Sequence, residues 1–195
     1  MDADAVELRV LGCLIEKQRT TPDAYPLSLN SLRLACNQST NRDPVVEYDE
    51  PTIREALQRL STRGWVRLAS GAGSRAVKYR HLFDEALSLS DAEISLLAVL
   101  MLRGPQTPGE LKQRTERLHR FESPAEVEGT LDALVGRELV ARLERRPGQK
   151  EQRYTQLLGV DEEVAPEPTA ESLEARVTRL EAEVRSLREL LPRNG

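Results

Sequence analysis

Residues able to read a nucleic acid gather on one helix and on the ribbon that follows it. At about 100° per residue, Gln58, Arg59 and Thr62 fall on one side of a helix that opens at Pro51, with Glu55 beside them. Glutamine and arginine match the edge patterns of adenine and guanine, and a threonine hydroxyl reaches a phosphate or a base. Glu55 would repel the phosphate backbone unless it accepted from a cytosine amino group. Arg75, Lys78 and Arg80 come next on a β-ribbon, placed for phosphate contacts or for a minor groove. A solvated helix face with ordinary charges is the other reading of these residues, and the sequence leaves both open.

Catalytic chemistry has no comparable constellation. His81 and His119 are isolated and match no metal-ligand spacing. The GAG of SGAGSR lies in a hairpin, not between a strand and a helix, so it is no phosphate loop. Serine, cysteine and histidine are too scattered for a triad. Cys13 and Cys36 fall on apolar helix faces and read as small core residues of a reducing compartment. The expectation is a non-enzyme with no cofactor and no metal.

Three helices must position the reading residues. Ala5 to Gln18 buries Val6, Val10, Leu11, Leu14 and Ile15 on one side. Ser28 caps a second helix that ends near Asn37, beyond TTPDAYPLSLN, whose two prolines forbid regular helix. The third helix follows the acids Asp49 and Glu50, with Pro51 at its first position and Ile53, Leu57 and Leu60 inward. Arg63 and Gly64 close it, the cation near the negative end and the glycine free to turn left-handed. WVRLA and AVKYRHL then form a hairpin around SGAGSR. Helix, helix, helix, hairpin is the outline of a winged helix-turn-helix over residues 3–84.

The same order recurs over 88–158. Ser90 caps DAEISLLAVLMLRG, Thr107 and Glu110 form a capping box for GELKQRTERLHRF, and Ser123 with Glu126 does so for AEVEGTLDALVGRE. LVARLE and QRYTQLL make the second hairpin. An offset of 74 residues pairs Ile53, Leu57, Leu60 and Val66 with Val127, Leu131, Leu134 and Val140. The third helix of this copy turns out Ala125, Gly129, Asp132, Ala133 and Gly136, with no donor able to reach a base. Such small residues let another backbone approach, so this face is expected to pack, between the copies or across a dimer. The basic residues of the second copy form a separate patch. Lys112, Arg114, Arg117 and Arg120 are expected on its second helix, and Arg145, Arg146, Lys150 and Arg153 along its ribbon. Phosphate tracking and plain solvation both fit them.

An acidic, proline-bearing linker spans 159–170 and a heptad helix 171–191. Leu173, Val177, Leu180, Val184, Leu187 and Leu191 make an unbroken a/d seam, which favours a parallel two-stranded coil. In that register Arg176 meets the partner's Glu181 and Glu183 meets the partner's Arg188. A lone amphipathic helix docked on its own chain is the alternative.

The 195-residue chain is 39% hydrophobic and only 4% aromatic, so its cores draw on Leu, Val and Ala, which suit helices. Its charge divides unevenly: 12 basic against 12 acidic residues over 1–90, 11 against 11 over 91–158, and 5 against 9 thereafter. A neutral folded portion argues against strong non-specific nucleic-acid binding. MDADAVELRV lacks the basic flank of a secretory signal, and the longest apolar run, Leu96 to Leu102, is too short to span a bilayer. A cytoplasmic protein is expected, with no membrane partner.

LGCLIEKQRTTPDAYPLSLNSLRLACNQSTNRDPV, RGPQTPGELKQRTERLHRF and RRPGQKEQRYTQLL closely resemble the YceH-like family of bacterial proteins, over about residues 5–158. The resemblance implies a tandem winged-helix fold and a cytoplasmic bacterial protein. It carries no catalytic or ligand residue across, because the family is essentially uncharacterised. The expected fold class is therefore mainly α with small β-hairpins (α+β): two tandem winged helix-turn-helix domains plus a C-terminal coiled-coil-like helix. The expected function is a homodimeric, DNA-associated regulator that reads double-stranded DNA through the first copy. The alternative is a non-catalytic adaptor for a protein partner, with winged helices and coil as packing surfaces.

Overall fold

The order of elements repeats along the chain. First come α1 (Ala5–Thr20), a 3-10 turn (Pro22–Ala24), β1 (Leu27–Ser28), α2 (Leu29–Cys36), α3 (Glu50–Thr62), β2 (Val66–Ala69), β3 (Lys78–His81) and α4 (Phe83–Leu87). Then follow α5 (Asp91–Arg103), α6 (Pro108–Thr115), α7 (Pro124–Gly136), β4 (Val140–Arg142) and β5 (Tyr154–Gln156). This computed structural model describes residues 2–69, 77–145 and 151–159. Among them the protein is mixed α and β, with helices dominant and two small antiparallel sheets, ordered β1-β3-β2 and β4-β5. Arg75, Arg146, Lys150, the linker beyond Gly159 and the whole heptad seam lie outside the described residues.

The repetition extends to individual hydrogen bonds. Gly64 turns left-handed at φ +74°, and the amides of Gly64 and Trp65 donate to the Ser61 and Leu60 carbonyls. At an offset of 74 residues Glu138 sits at φ +56°, and the amides of Glu138 and Leu139 donate to Val135 and Leu134. Leu82 donates to Trp65 at 2.7 Å, as Leu157 does to Leu139 at 2.9 Å. β1 pairs with β3 at Leu27–Tyr79, and its counterpart is the single bridge Gln106–Tyr154.

One core serves both copies, and Met1–Val160 is one compact unit. α5 is buried on every side from Ile94 to Leu102, and α1 from Glu7 to Ile15. A helix apolar all round belongs in an interior, and here α1 packs chiefly on α5 and α3. Gly12 brings α1 and α5 together: a Cβ there would lie 2.9 Å from the Leu102 Cγ. Ala3 closes the unit by donating its amide to the Leu158 carbonyl at 3.1 Å.

Buried charges hold the irregular stretch between α2 and α3. Arg9 donates to the carbonyls of Cys36 at 3.1 Å and Pro44 at 2.6 Å. Arg42, its side chain wholly buried, forks onto Glu16 at 2.6 and 3.1 Å and also donates to the Ala35 and Asn41 carbonyls. Asn37 bonds both the amide and the carbonyl of Tyr48.

Several local expectations shift. Pro51 occupies the second helical position, because Asp49 is the cap and accepts from Thr52 at 2.9 Å. Glu126 bonds the Glu122 amide, one residue before the cap, so the expected capping box there is half formed. α6 stops at Thr115, whose buried hydroxyl donates to the Leu111 carbonyl at 2.7 Å. Arg117 and Arg120 therefore lie past the helix on which the sequence placed them. β1 and α4 were not expected at all.

Candidate nucleic-acid interface

α3 is held by Ile53, Ala56, Leu57 and Leu60, which are buried, and this turns Arg54, Gln58, Ser61 and Thr62 to the outside. Behind that face the stem of the ribbon rises as β2 and β3. Helix and stem enclose an open groove of about 370 Å³, bordered by Arg54, Gln58 and Thr62 on one side and Arg67, Leu68 and Tyr79 on the other. Its lining residues include two arginines and no carboxylate. Gln58 and Arg67 are exposed, and the Thr62 hydroxyl donates to the Gln58 carbonyl at 3.0 Å, leaving its lone pairs outward. Leu68 on the stem wall stands 61% exposed, and Val77, just before β3 and outside the groove lining, 57%.

Arg59 departs from the sequence expectation. Its guanidinium reaches the Asp4 carboxylate at 2.5 Å and Glu7 at 3.4 Å. Arg63 joins the same cluster, 3.2 Å from Glu7 and stacked over Trp65. The acids that start α1 thus draw Arg59 off the groove lining, a tie between residues far apart in sequence. Lys78 is half-buried, and Arg80 pairs with Glu85 at 2.9 Å. Arg54 and Arg67 take up the place expected of Arg59. Both had a signal: Arg54 lies one turn before Gln58, and Arg67 alternates outward after buried Val66.

In the second copy the outward face of α7 is bare. Ala125, Gly129, Ala133 and Gly136 are exposed, and a Cβ at Gly129 or Gly136 would meet nothing within 4 Å. This face therefore does not pack between the copies within the described residues, because the shared core is built on α1 and α5. The basic residues of this copy do not form one patch. Arg120 pairs with Glu116 at 3.5 Å, Arg145 is exposed at the end of the β4 segment, and Arg153 is half-buried. Lys112 is half-buried on α6, whereas Arg114 and Arg117 turn towards the first copy and share a cavity with Lys17 and Arg103.

The titratable core groups are bonded to one another and to their neighbours. His81 is buried, its Nε2 is 2.5 Å from the Gln18 amide oxygen, and burial pulls its pKa down to about 4. Tyr25 donates nothing to it but accepts from the His81 amide at 2.8 Å, and burial pushes the phenol up to about 12. Cys13 and Cys36 are buried free thiols, and Cys36 is pushed up by its hydrogen bond to Cys13 and then by burial. Among the described residues no group of His, Cys, Asp and Glu is placed to hold a metal ion, and no helix is long and apolar enough to cross a membrane.

Residues 3–149 match the family described as protein of unknown function DUF480. The UPF0502 protein YceH of Salmonella typhimurium is 47% identical over 200 residues, covering 96% of this chain and 93% of that protein. The proteins of the same name from Salmonella typhi and Salmonella enteritidis are 47% identical over the same shares. With a family match over most of its length and such relatives, the chain belongs to the DUF480 family and is a relative of the UPF0502 YceH proteins.

Proposed function

We propose that this protein is a non-catalytic, DNA-associated regulator of the cytoplasm whose two copies are tandem winged helices, the first of which reads DNA. The observation that carries the reading is the α3 groove: an amide, two hydroxyls and two arginines face outward, with no carboxylate among the described residues that line it. A recognition helix in a major groove needs donors of this kind, and the ribbon stem beside it suits the phosphates. The neutral charge of the copies keeps non-specific attraction low, so sequence-dependent contacts would carry the discrimination. Pairing through the heptad helix would present two such grooves to a roughly palindromic site, with half-sites a whole number of helical turns apart.

A second reading, an adaptor for a protein partner, is favoured by exposed Leu68 and Val77 and by the bare α7 face. Titrating labelled mixed-sequence duplexes against salt separates the two. The regulator binds with a clear negative slope of log K against log salt. Arg54→Ala and Arg67→Ala each reduce that slope by about 1, whereas Arg59→Ala, engaged with Asp4 and Glu7, leaves it nearly unchanged. No retention of genomic fragments at low salt hands the case to the adaptor.

A further inference from the structure

A cavity larger than the α3 groove lies away from it, where the two copies meet. It encloses about 630 Å³ between α1, the stretch after α2, α5 and α6. Lys17 comes from α1, Arg103 from the end of α5, Arg114 from α6, and Arg117 from the turn after it. Among the described residues the one carboxylate in the lining is Glu16, and it is already engaged by the buried Arg42 fork. Four cations around one cavity are not a consequence of composition in a chain of net charge −4.

The neighbouring acids compensate these cations only in part. Glu110 lies 3.5 Å from Arg114, but it is well exposed and also accepts from the Thr107 amide. Arg103 donates to the Asn41 side chain, and Asp43 lies close enough to act on it. Burial, followed by Arg114 and Arg42, holds Arg103 below the ordinary arginine range. Lys17 has Glu16 at 3.6 Å and Gln38 at 3.4 Å. Arg117 is exposed and makes no ion pair among the described residues.

The rest of the lining sets the kind of molecule. Gln38, Asn41 and Gln113 supply amides, and Thr20, Thr21 and Thr40 supply hydroxyl oxygens, over a floor of Val99 and Leu102. Among the described residues no aromatic side chain lines the cavity, so a nucleobase would find no stacking partner there. Arginine forks suit phosphate, and amides with hydroxyl acceptors suit a hydroxyl-rich body. We propose that this cavity binds a small phosphorylated polyhydroxy compound, its phosphate held by Arg103, Arg114 and Arg117 and its hydroxyls by Gln38, Asn41 and Gln113. The site stands on its own geometry and does not depend on the DNA reading.

Isothermal titration and thermal melting of the full chain test it, with glucose 6-phosphate, inorganic phosphate, glucose and citrate as probes. Glucose 6-phosphate raises the melting temperature and binds more tightly than phosphate, while glucose alone gives no heat. Arg114→Gln and Arg117→Gln each weaken that binding by about tenfold or more, the loss of one charge-assisted contact. Their melting temperatures without ligand stay at the parent value, which separates a lost site from a lost fold. No heat with glucose 6-phosphate at about 10 mM, far weaker than a built site allows, overturns the proposal. So does equal binding of citrate, or binding that both arginine variants leave intact.

Discussion

Replacing Arg42 with methionine should be among the most damaging changes in the chain that touch no apolar packing. Its guanidinium donates to Glu16 at 2.6 and 3.1 Å, to Asn41 at 2.8 Å, and to Ala35 and Gln38 at 3.1 Å. Methionine keeps much of the volume and loses all five bonds. Glu16, only 13% exposed, would keep Lys17 at 3.6 Å as its remaining cation. Breaking one side of a buried ion pair costs about 3–5 kcal/mol, a large share of a total stability of about 5–15 kcal/mol. With a urea slope of roughly 2 kcal/mol/M, the unfolding midpoint falls by about 2 M. The double variant Glu16→Met with Arg42→Met should be less damaged than the two single losses combined, because no carboxylate is stranded. An Arg42→Met stability within about 1 kcal/mol of the parent, the range of a surface pair, would refute the reasoning. So would strict additivity in the double variant.

His81 supplies a pH test. Its folded pKa is about 4 against 6.5 for the free ring, so between those values the unfolded chain binds a proton that the folded chain refuses. Stability therefore falls as pH drops from 6.5 to 4, by up to about 3 kcal/mol from this group. Asp84, which favours the charged ring, and Arg19 and Arg80, which oppose it, are the charges facing it. His81→Gln should remove that part of the acid loss, and parallel pH profiles for parent and variant would count against it. Gly12→Ala should destabilise by about 1 kcal/mol net in denaturant melts: overpacking of about 1–3 kcal/mol outweighs the gain in helix propensity. A variant more stable than the parent would show that Leu102 yields freely. Gly129→Leu should leave the melting temperature of the isolated compact unit unchanged, because its face is open, yet weaken a dimer that uses that face. Sedimentation of the full chain reads this directly, and an unaltered oligomer removes the face from any assembly.

The helix starts were legible because a cap is a matter of three or four residues. Ser28, Ser90, Thr107 and Ser123 all cap where the sequence puts them. The repeat was legible for a related reason, since Ile53, Leu57 and Leu60 and their counterparts at the 74-residue offset are all buried. What escaped depended on partners far along the chain. β1 is two residues long and exists only because β3 lies beside it. Arg9 and Glu7 look like the wet side of an amphipathic α1 until the stretch after α2 and the end of α3 fold over them. Arg59 shared a stripe with Gln58 by angle alone, and no periodicity reveals that Asp4 waits across a gap of 55 residues.

The α1–α5 spine has a bearing on how this protein can act. Copies welded through a common interior cannot swing like jaws, so nothing is gripped by closing one against the other. The outward sides of α3 and α7 are both carried on this one core. Within Met1–Val160, a signal must then travel as side-chain rearrangement near Gly12 and Leu102, or as a change in how whole chains associate, and not as a hinge between halves.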